Sequence, residues 1–114
     1  MFIYHFIGEY MLKVRTTTDD STEAMRIATY LVDSKLAASA HTKLVNSVYT
    51  WEGTVHNKQE FEVELLIDDD MLGKVEETIT KMHHYVVPEI ISVKVEASSD
   101  ITKWCHDWCH GGIQ

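Results

Sequence analysis

Imidazole and carboxylate groups crowd one short stretch of this chain. His83-His84-Tyr85 is followed by Glu89. That donor set suits zinc, copper(II) or nickel, ions of intermediate softness that accept nitrogen and oxygen ligands. His83, His84 and Glu89 are therefore the candidate metal ligands, copper or zinc the candidate ion, with Tyr85 beside them. Adjacent side chains of an extended segment point to opposite faces, which sets the two histidines apart within one chain. A second copy of the chain can supply further ligands. Another group lies near the C-terminus, Cys105-His106-Asp107-Trp108-Cys109-His110. The cysteines stand at i and i+4, and so do the histidines, so each pair shares a helix face. The spacing matches neither a zinc knuckle nor a haem attachment pattern. Cys105 falls on the side of Ile101, Trp104 and Trp108, where a buried thiol behaves as a small hydrophobe. Metal ligation and core packing both stand open for this stretch. Trp51-Glu52-Gly53 likewise has two readings: a cleft lining with a bulge at Gly53, or a contact anchor built on the tryptophan. No phosphate-cradling glycine loop and no nucleophile elbow accompany these groups. An enzyme would have to use His83 as a base oriented by Glu89. The expectation is a non-enzymatic protein, with a histidine-based enzyme as the alternative.

These residues need a scaffold, and the periodicities supply one. Tyr10 to Thr17 alternates as a strand. Asp20 or Ser21 can cap a helix, with Glu23 placed as in a capping box. Ala24, Ile27, Ala28, Leu31, Val32 and Leu36 recur at helical spacing, leaving Glu23 and Arg26 on the exposed side. Ala40 to Val55 is rich in β-formers, His56-Asn57-Lys58 reads as a turn, and Phe61, Val63, Leu65 and Ile67 alternate as the returning strand. Asp68-Asp69-Asp70 ends that strand. Met71, Leu72, Val75, Ile79 and Met82 form the stripe of a second helix, which Pro88 separates from a strand over Ile90 to Val95. Ser98, Ser99 or Asp100 caps a last helix that Gly111-Gly112 closes. The order predicts an α+β chain: a ferredoxin-like βαββαβ sandwich with a long central hairpin and a C-terminal helix.

Composition sets limits. The chain has 114 residues, 45% hydrophobic and 25% charged, enough for one domain with its own core. Residues 1–9 read as an N-terminal extension and 10–114 as the domain. Ten Lys+Arg against eighteen Asp+Glu leave a net charge of −8. That balance argues against nucleic acid, whose phosphates need clustered cations, and favours divalent cations as partners. No apolar run approaches the ~18 residues that span a bilayer, so no membrane partner is expected. Met1 to Tyr10 lacks a basic n-region and carries His5 and Glu9, unlike a secretory signal. With two thiols too close on a helix to bridge without strain, a cytoplasmic setting is expected. The hairpin, at about 28 residues, reaches roughly 45 Å per arm. Strands of seven residues cannot cover it. Bare edges carrying Tyr49, Trp51 and Phe61 invite self-association with closed symmetry.

Three segments, taken in order, carry a family likeness: Lys35-Leu36-Ala37-Ala38-Ser39, Ser47-Val48-Tyr49-Thr50-Trp51-Glu52-Gly53, and His83-His84-Tyr85-Val86-Val87-Pro88-Glu89. With Trp104 beyond them, the succession resembles the CutA family of divalent-cation tolerance proteins over about residues 10 to 109. The resemblance implies a ferredoxin-like subunit, a homotrimer with interlocked hairpins, and a distant likeness to PII signalling proteins. It links the chain to copper tolerance in bacteria and to acetylcholinesterase assembly in animals. Tyr49, Trp51 and Phe61 become trimer contacts, and Thr16, Ser39, Trp51, Glu52 and Tyr85 the lining of a cleft between subunits. Thr16 and Ser39 stand where copper-linked bacterial members often have cysteine. Asp68-Asp69 replaces a usual Lys-Thr, and His83-His84-Tyr85-Val86 a usual His-Pro-Tyr-Glu. The function implied is binding of, or response to, copper- or zinc-class cations, or a small ligand, at those clefts. A scaffold trimer without metal is the alternative.

Overall fold

The computed structural model describes residues 10–111. The expected extension over residues 1–9, and Gly112 of the expected closing pair, lie outside the described residues. Strand β1 runs Met11–Thr18, helix α1 Ser21–Asp33, β2 Ser39–Trp51 and β3 Thr54–Asp68. A single 3-10 turn at Asp69–Met71 leads into α2, Leu72–Met82, followed by β4, Ile91–Val95, and α3, Ser99–Cys109. The sheet order is β2-β3-β1-β4 with every neighbouring pair antiparallel. This is the expected ferredoxin-like arrangement with an added C-terminal helix.

Side-chain parity divides the sheet. Leu12, Val14, Thr16 and Thr18 of β1 are buried with Val63, Leu65 and Ile67 of β3, against Ile27, Leu31, Val75 and Ile79 of α1 and α2. Asp20 caps α1 by accepting from the N–H groups of Thr22 (2.9 Å) and Glu23 (3.2 Å). The helix ends with Lys35 in the left-handed region, φ 67°, and Leu36 N–H bonded to the Leu31 carbonyl at 3.0 Å, a return that satisfies an otherwise orphaned acceptor. On the opposite face, α3 covers only the end of the sheet. Met11, Ala38, Cys105 and Cys109 form a second buried cluster there, joined by Leu66, Val95, Trp104 and Trp108. Trp108 Nε1 donates to the Val32 carbonyl at 3.0 Å, and Lys35 Nζ sits 3.4 Å from the Trp108 ring centre.

Two expectations are corrected. The hairpin turns at Glu52-Gly53, not at His56-Asn57-Lys58, which lie inside β3 with Tyr49 paired to His56 and Trp51 to Thr54. Glu52 (φ 51°) and Gly53 (φ 78°) both have positive φ, as a two-residue type I′ turn demands. Gly53 is therefore the turn glycine rather than a bulge. Glu23 is buried, 3% exposed, instead of facing solvent, because polar partners meet its carboxylate.

The hairpin outgrows the rest of the sheet. Within β3, β1 pairs with Phe61–Asp68, so, among the described residues, 54–60 have β2 on one edge and no strand on the other. The molecule measures 52 × 25 × 25 Å, and its radius of gyration is 15.2 Å against about 13 Å for a compact chain of this length. Val48 and Val55 lie exposed on one face of the overhang and Trp51 on the other, with Leu44 exposed at its root.

Candidate functional site

The chain crosses from α2 to β4 past the point where β1 stops, and this crossing makes the site. His83 caps α2 with extended backbone (φ −85°, ψ 137°), and residues 83–87 bend around Thr17 and Thr18. His83 is fixed at both ring nitrogens. Nε2 donates to the Thr17 carbonyl at 2.7 Å, and Nδ1 accepts the Tyr85 N–H at 3.1 Å. The bend turns both histidines toward one carboxylate, so they do not point apart as extended neighbours would. Glu23 Oε2 lies 2.8 Å from His84 Nδ1 and 3.5 Å from His83 Nδ1. It also accepts the Thr18 hydroxyl at 2.7 Å, while Oε1 accepts the His84 N–H at 3.1 Å. On its outer side His84 Nε2 meets Asp19 Oδ1 at 2.9 Å, and Lys58 Nζ holds the other Asp19 oxygen at 3.2 Å.

The electrostatics follow from this wiring. Burial raises the cost of ionising Glu23, yet the Thr18 hydroxyl and the His84 ring and N–H outweigh it and hold the carboxyl below its ordinary value. Asp19 is likewise held down against partial burial by Lys58 and then His84. The hydrogen bond to Glu23, aided by Asp19, raises the His84 pKa and favours imidazolium. Tyr85 OH donates to the buried Glu60 carboxylate at 2.6 Å. Burial first, and then this bond, push the phenol up to about 12. Lys58 lies 4.9 Å from the Tyr85 ring centre, and Tyr85 followed by Asp19 lifts its pKa above the ordinary lysine value.

Tyr85 also walls a cleft of about 800 Å³ beneath the hairpin, lined by Arg15, Tyr49, Trp51, Lys58, Glu60 and Glu89 among others. Of the residues singled out by sequence, Tyr49, Trp51, Tyr85 and Glu89 gather here. Glu89 does not join the histidines: it pairs with Arg15 at 3.6 Å, and the carboxylate beside His83 and His84 is Glu23. Thr16 faces the helices, fully buried, its hydroxyl without a hydrogen-bond partner among the described residues. Ser39 lines a separate shallow hollow with Met25, Ala28 and Val32 of α1. Glu52 sits at the hairpin tip. Phe61 packs against the core of this chain. Sequence spacing gave no sign of Asp19, Glu23 or Lys58 as site residues, although Glu23 in the first turn of α1 was visible as a helix-start residue, and Glu60 in the returning strand is part of the succession that carries the family likeness.

Near the C-terminus, Cys105 and Cys109 are free thiols buried in the second apolar cluster, which settles the packing of that pair. A hydrogen bond with Cys109, then burial, raises the Cys105 pKa. The histidines of the same helix instead reach Asp68 at the end of β3. Among the described residues, two groups bring three potential metal donors within 4.8 Å of one another: Glu23, His83 and His84, and Asp68, His106 and His110.

Comparison with known proteins places this geometry among relatives. The sequence profile of the family described as CutA1 divalent ion tolerance protein matches residues 12–108. The divalent-cation tolerance protein CutA of Pyrococcus horikoshii is 30% identical over 95 residues, covering 82% of this chain and 93% of that one. The crystal structure of divalent ion tolerance protein CutA1 from Ehrlichia chaffeensis superposes with a TM-score of 0.81 at 29% identity, covering 88% of this chain and 95% of that one. The structure of the periplasmic divalent cation tolerance protein CutA from Archaeoglobus fulgidus gives 0.83 at 25% identity over 87% and 98%. No described helix is long and apolar enough to cross a membrane.

Proposed function

The chain belongs to the CutA1 divalent ion tolerance family, and from that premise we propose that it is a non-enzymatic homotrimer that binds copper- or zinc-class divalent cations beside its inter-subunit clefts. The observation that carries the metal reading is the Glu23–His83–His84 group, three donors within 4.8 Å at the edge of the cleft. His84 is half exposed and open to an incoming ion. A cation there displaces the proton on His84 Nδ1 and competes with the Tyr85 N–H for His83 Nδ1. Binding is therefore proton-coupled and strengthens as pH rises. The bare edge of residues 54–60 and the exposed Leu44, Val48, Trp51 and Val55 support self-association, because a lone subunit leaves them in water. A neighbouring copy's hairpin then roofs the cleft. The free thiols suit a reducing compartment, and we assign the protein to the cytoplasm.

Zinc or copper(II) titration by calorimetry, in two buffers of different ionisation enthalpy, tests the site. Proton release and at least a tenfold affinity loss in His84→Ala are expected. Equal affinity and no proton release in the wild type would overturn it. The cleft favours a second reading. Tyr49, Trp51 and Tyr85 along its wall suit a small aromatic ligand, and quenching of tryptophan emission by such a ligand, lost in Trp51→Phe, would support it.

A further inference from the structure

The family reading leaves one cluster of donors unused. Asp68 closes β3, and its pairing with Met11 turns its side chain under α3, where it is 1% exposed. His106 on that helix and His110, its C-terminal cap, lie four residues apart, and their rings approach with centroids 4.5 Å apart. His106 Nδ1 lies 3.1 Å and His110 Nε2 3.0 Å from the same oxygen, Asp68 Oδ2. Asp70, in the 3-10 turn, brings an Oδ2 within 3.3 Å of His110 Nε2. Two elements far apart in sequence thus converge two imidazoles and the Asp68 carboxylate within 4.8 Å of one another, with Asp70 beside His110.

One atom argues for an ion rather than a plain ion-pair cluster. His110 Nε2 is buried and faces two carboxylate oxygens, yet neither is aligned to hydrogen bond with it. A buried ring nitrogen without a hydrogen bond is costly, and a cation seated between these groups would engage it. A tetrahedral zinc with ligands at 2.0–2.1 Å sets its donors about 3.4 Å apart, and three donor pairs come close to that: His106–Asp68 at 3.1 Å, His110–Asp68 at 3.0 Å and His110–Asp70 at 3.3 Å.

The geometry points to a second divalent-metal site, of zinc class, formed by Asp68, His106 and His110 with Asp70 as the fourth donor. Nitrogen and oxygen ligands select Zn²⁺, Co²⁺, Ni²⁺ or Cu²⁺ over Mg²⁺ and Ca²⁺. An ion here ties α3 to the end of β3 and to the turn that starts α2, so it acts as a clip on the C-terminal helix. Cys105 and Cys109 remain in the apolar cluster behind it.

The test uses the full chain carrying His84→Ala, so that zinc uptake at the cleft-edge group does not contribute. Zinc titration of this protein is expected to give one ion per protomer and a rise in unfolding temperature. Cobalt is expected to give the intense visible bands of tetrahedral coordination. His110→Gln, at the solvent-facing end of α3, lowers zinc affinity at least tenfold and removes the cobalt bands. Asp68→Asn does the same if it folds, which circular dichroism reports; if it does not, His106→Gln serves as the second variant. Should the His84→Ala protein take up no zinc, or should His110→Gln and His106→Gln bind it as tightly as their parent, the site is refuted. Failure here leaves the cleft-edge reading intact, since that one is judged by the effect of His84→Ala on the otherwise unaltered chain.

Discussion

Replacing Glu23 by glutamine removes one charge and no volume from the centre of the crossing. In the wild type the buried carboxylate accepts from the Thr18 hydroxyl at 2.7 Å and from the His84 N–H at 3.1 Å. Hydrogen bonds to a charged group contribute about 1.5–3 kcal/mol and neutral ones about 0.5–1.5 kcal/mol. Two such bonds downgraded cost about 2 kcal/mol, which is about 1 M in urea midpoint for a domain with a slope near 2 kcal/mol per M. The His84 ring adds a pH signature. Glu23 titrates below its ordinary 4.5, so its contribution is present above 4.5 and is lost as pH falls through the lowered value. His84 titrates above its ordinary 6.5, so its contribution is full below 6.5 and is lost as pH rises through the raised value. The stability gap between wild type and Glu23→Gln is therefore widest between pH 4.5 and 6.5 and narrows on both sides. Urea unfolding at matched protomer concentration, repeated from about pH 4 to 9, measures it. A gap that stays level across neutral pH would show that His84 is not the ionised partner of Glu23, and no gap at any pH would dissolve the network.

Four further outcomes are expected. Sedimentation equilibrium at micromolar concentration reports three protomers, and a clean monomer would defeat the assembly. Gly53→Ala costs about 1–2 kcal/mol through its positive φ alone, since no atom lies within 4 Å of the added carbon; an unchanged denaturation midpoint would argue against the type I′ turn. Tyr85→Phe leaves the buried Glu60 without the 2.6 Å hydroxyl donor and costs about 1–3 kcal/mol, and a wild-type phenol that titrates near 10 in an ultraviolet pH scan would contradict its burial. Trp108→Phe removes the 3.0 Å bond to Val32 and weakens the Lys35 contact, costing about 1–2 kcal/mol; equal stability would mean that α3 is not docked through this ring.

Element order was legible because each element carries its own period. Val63, Leu65 and Ile67 alternate, and Val75, Ile79 and Met82 recur at helical spacing, so strand and helix announce themselves locally. Turn chemistry is harder to read. His56-Asn57-Lys58 is polar and looks like a break, whereas the true turn, Glu52-Gly53, puts glutamate in a left-handed conformation that local preference disfavours. The pairing of thirteen β2 residues with β3 decided it, since moving the turn would shift that whole ladder and change which residues face the helices.

The site was legible only by half, and the missing half has a common form. Each histidine pair was visible because its members are neighbours in sequence, His83 with His84 and His106 with His110. The acid that each pair meets was hidden because it comes from another element, Glu23 lying 61 residues from His84 and Asp68 lying 38 from His106. Both acids occupy element boundaries, Glu23 in the first turn of α1 and Asp68 at the last residue of β3. There a carboxylate reads as a cap or a strand stop, roles that predict exposure. Burial at 3% and 1% contradicts those roles, and an ionised carboxylate is rarely buried without partners that repay its lost hydration. Exposed Glu89, by contrast, stands close in sequence to His83 but pairs with Arg15, where water screens it and a weak surface bridge suffices. Sequence proximity pointed to Glu89, whereas the carboxylate that meets the histidines is Glu23, because desolvation, not distance along the chain, decides which carboxylate must find a partner.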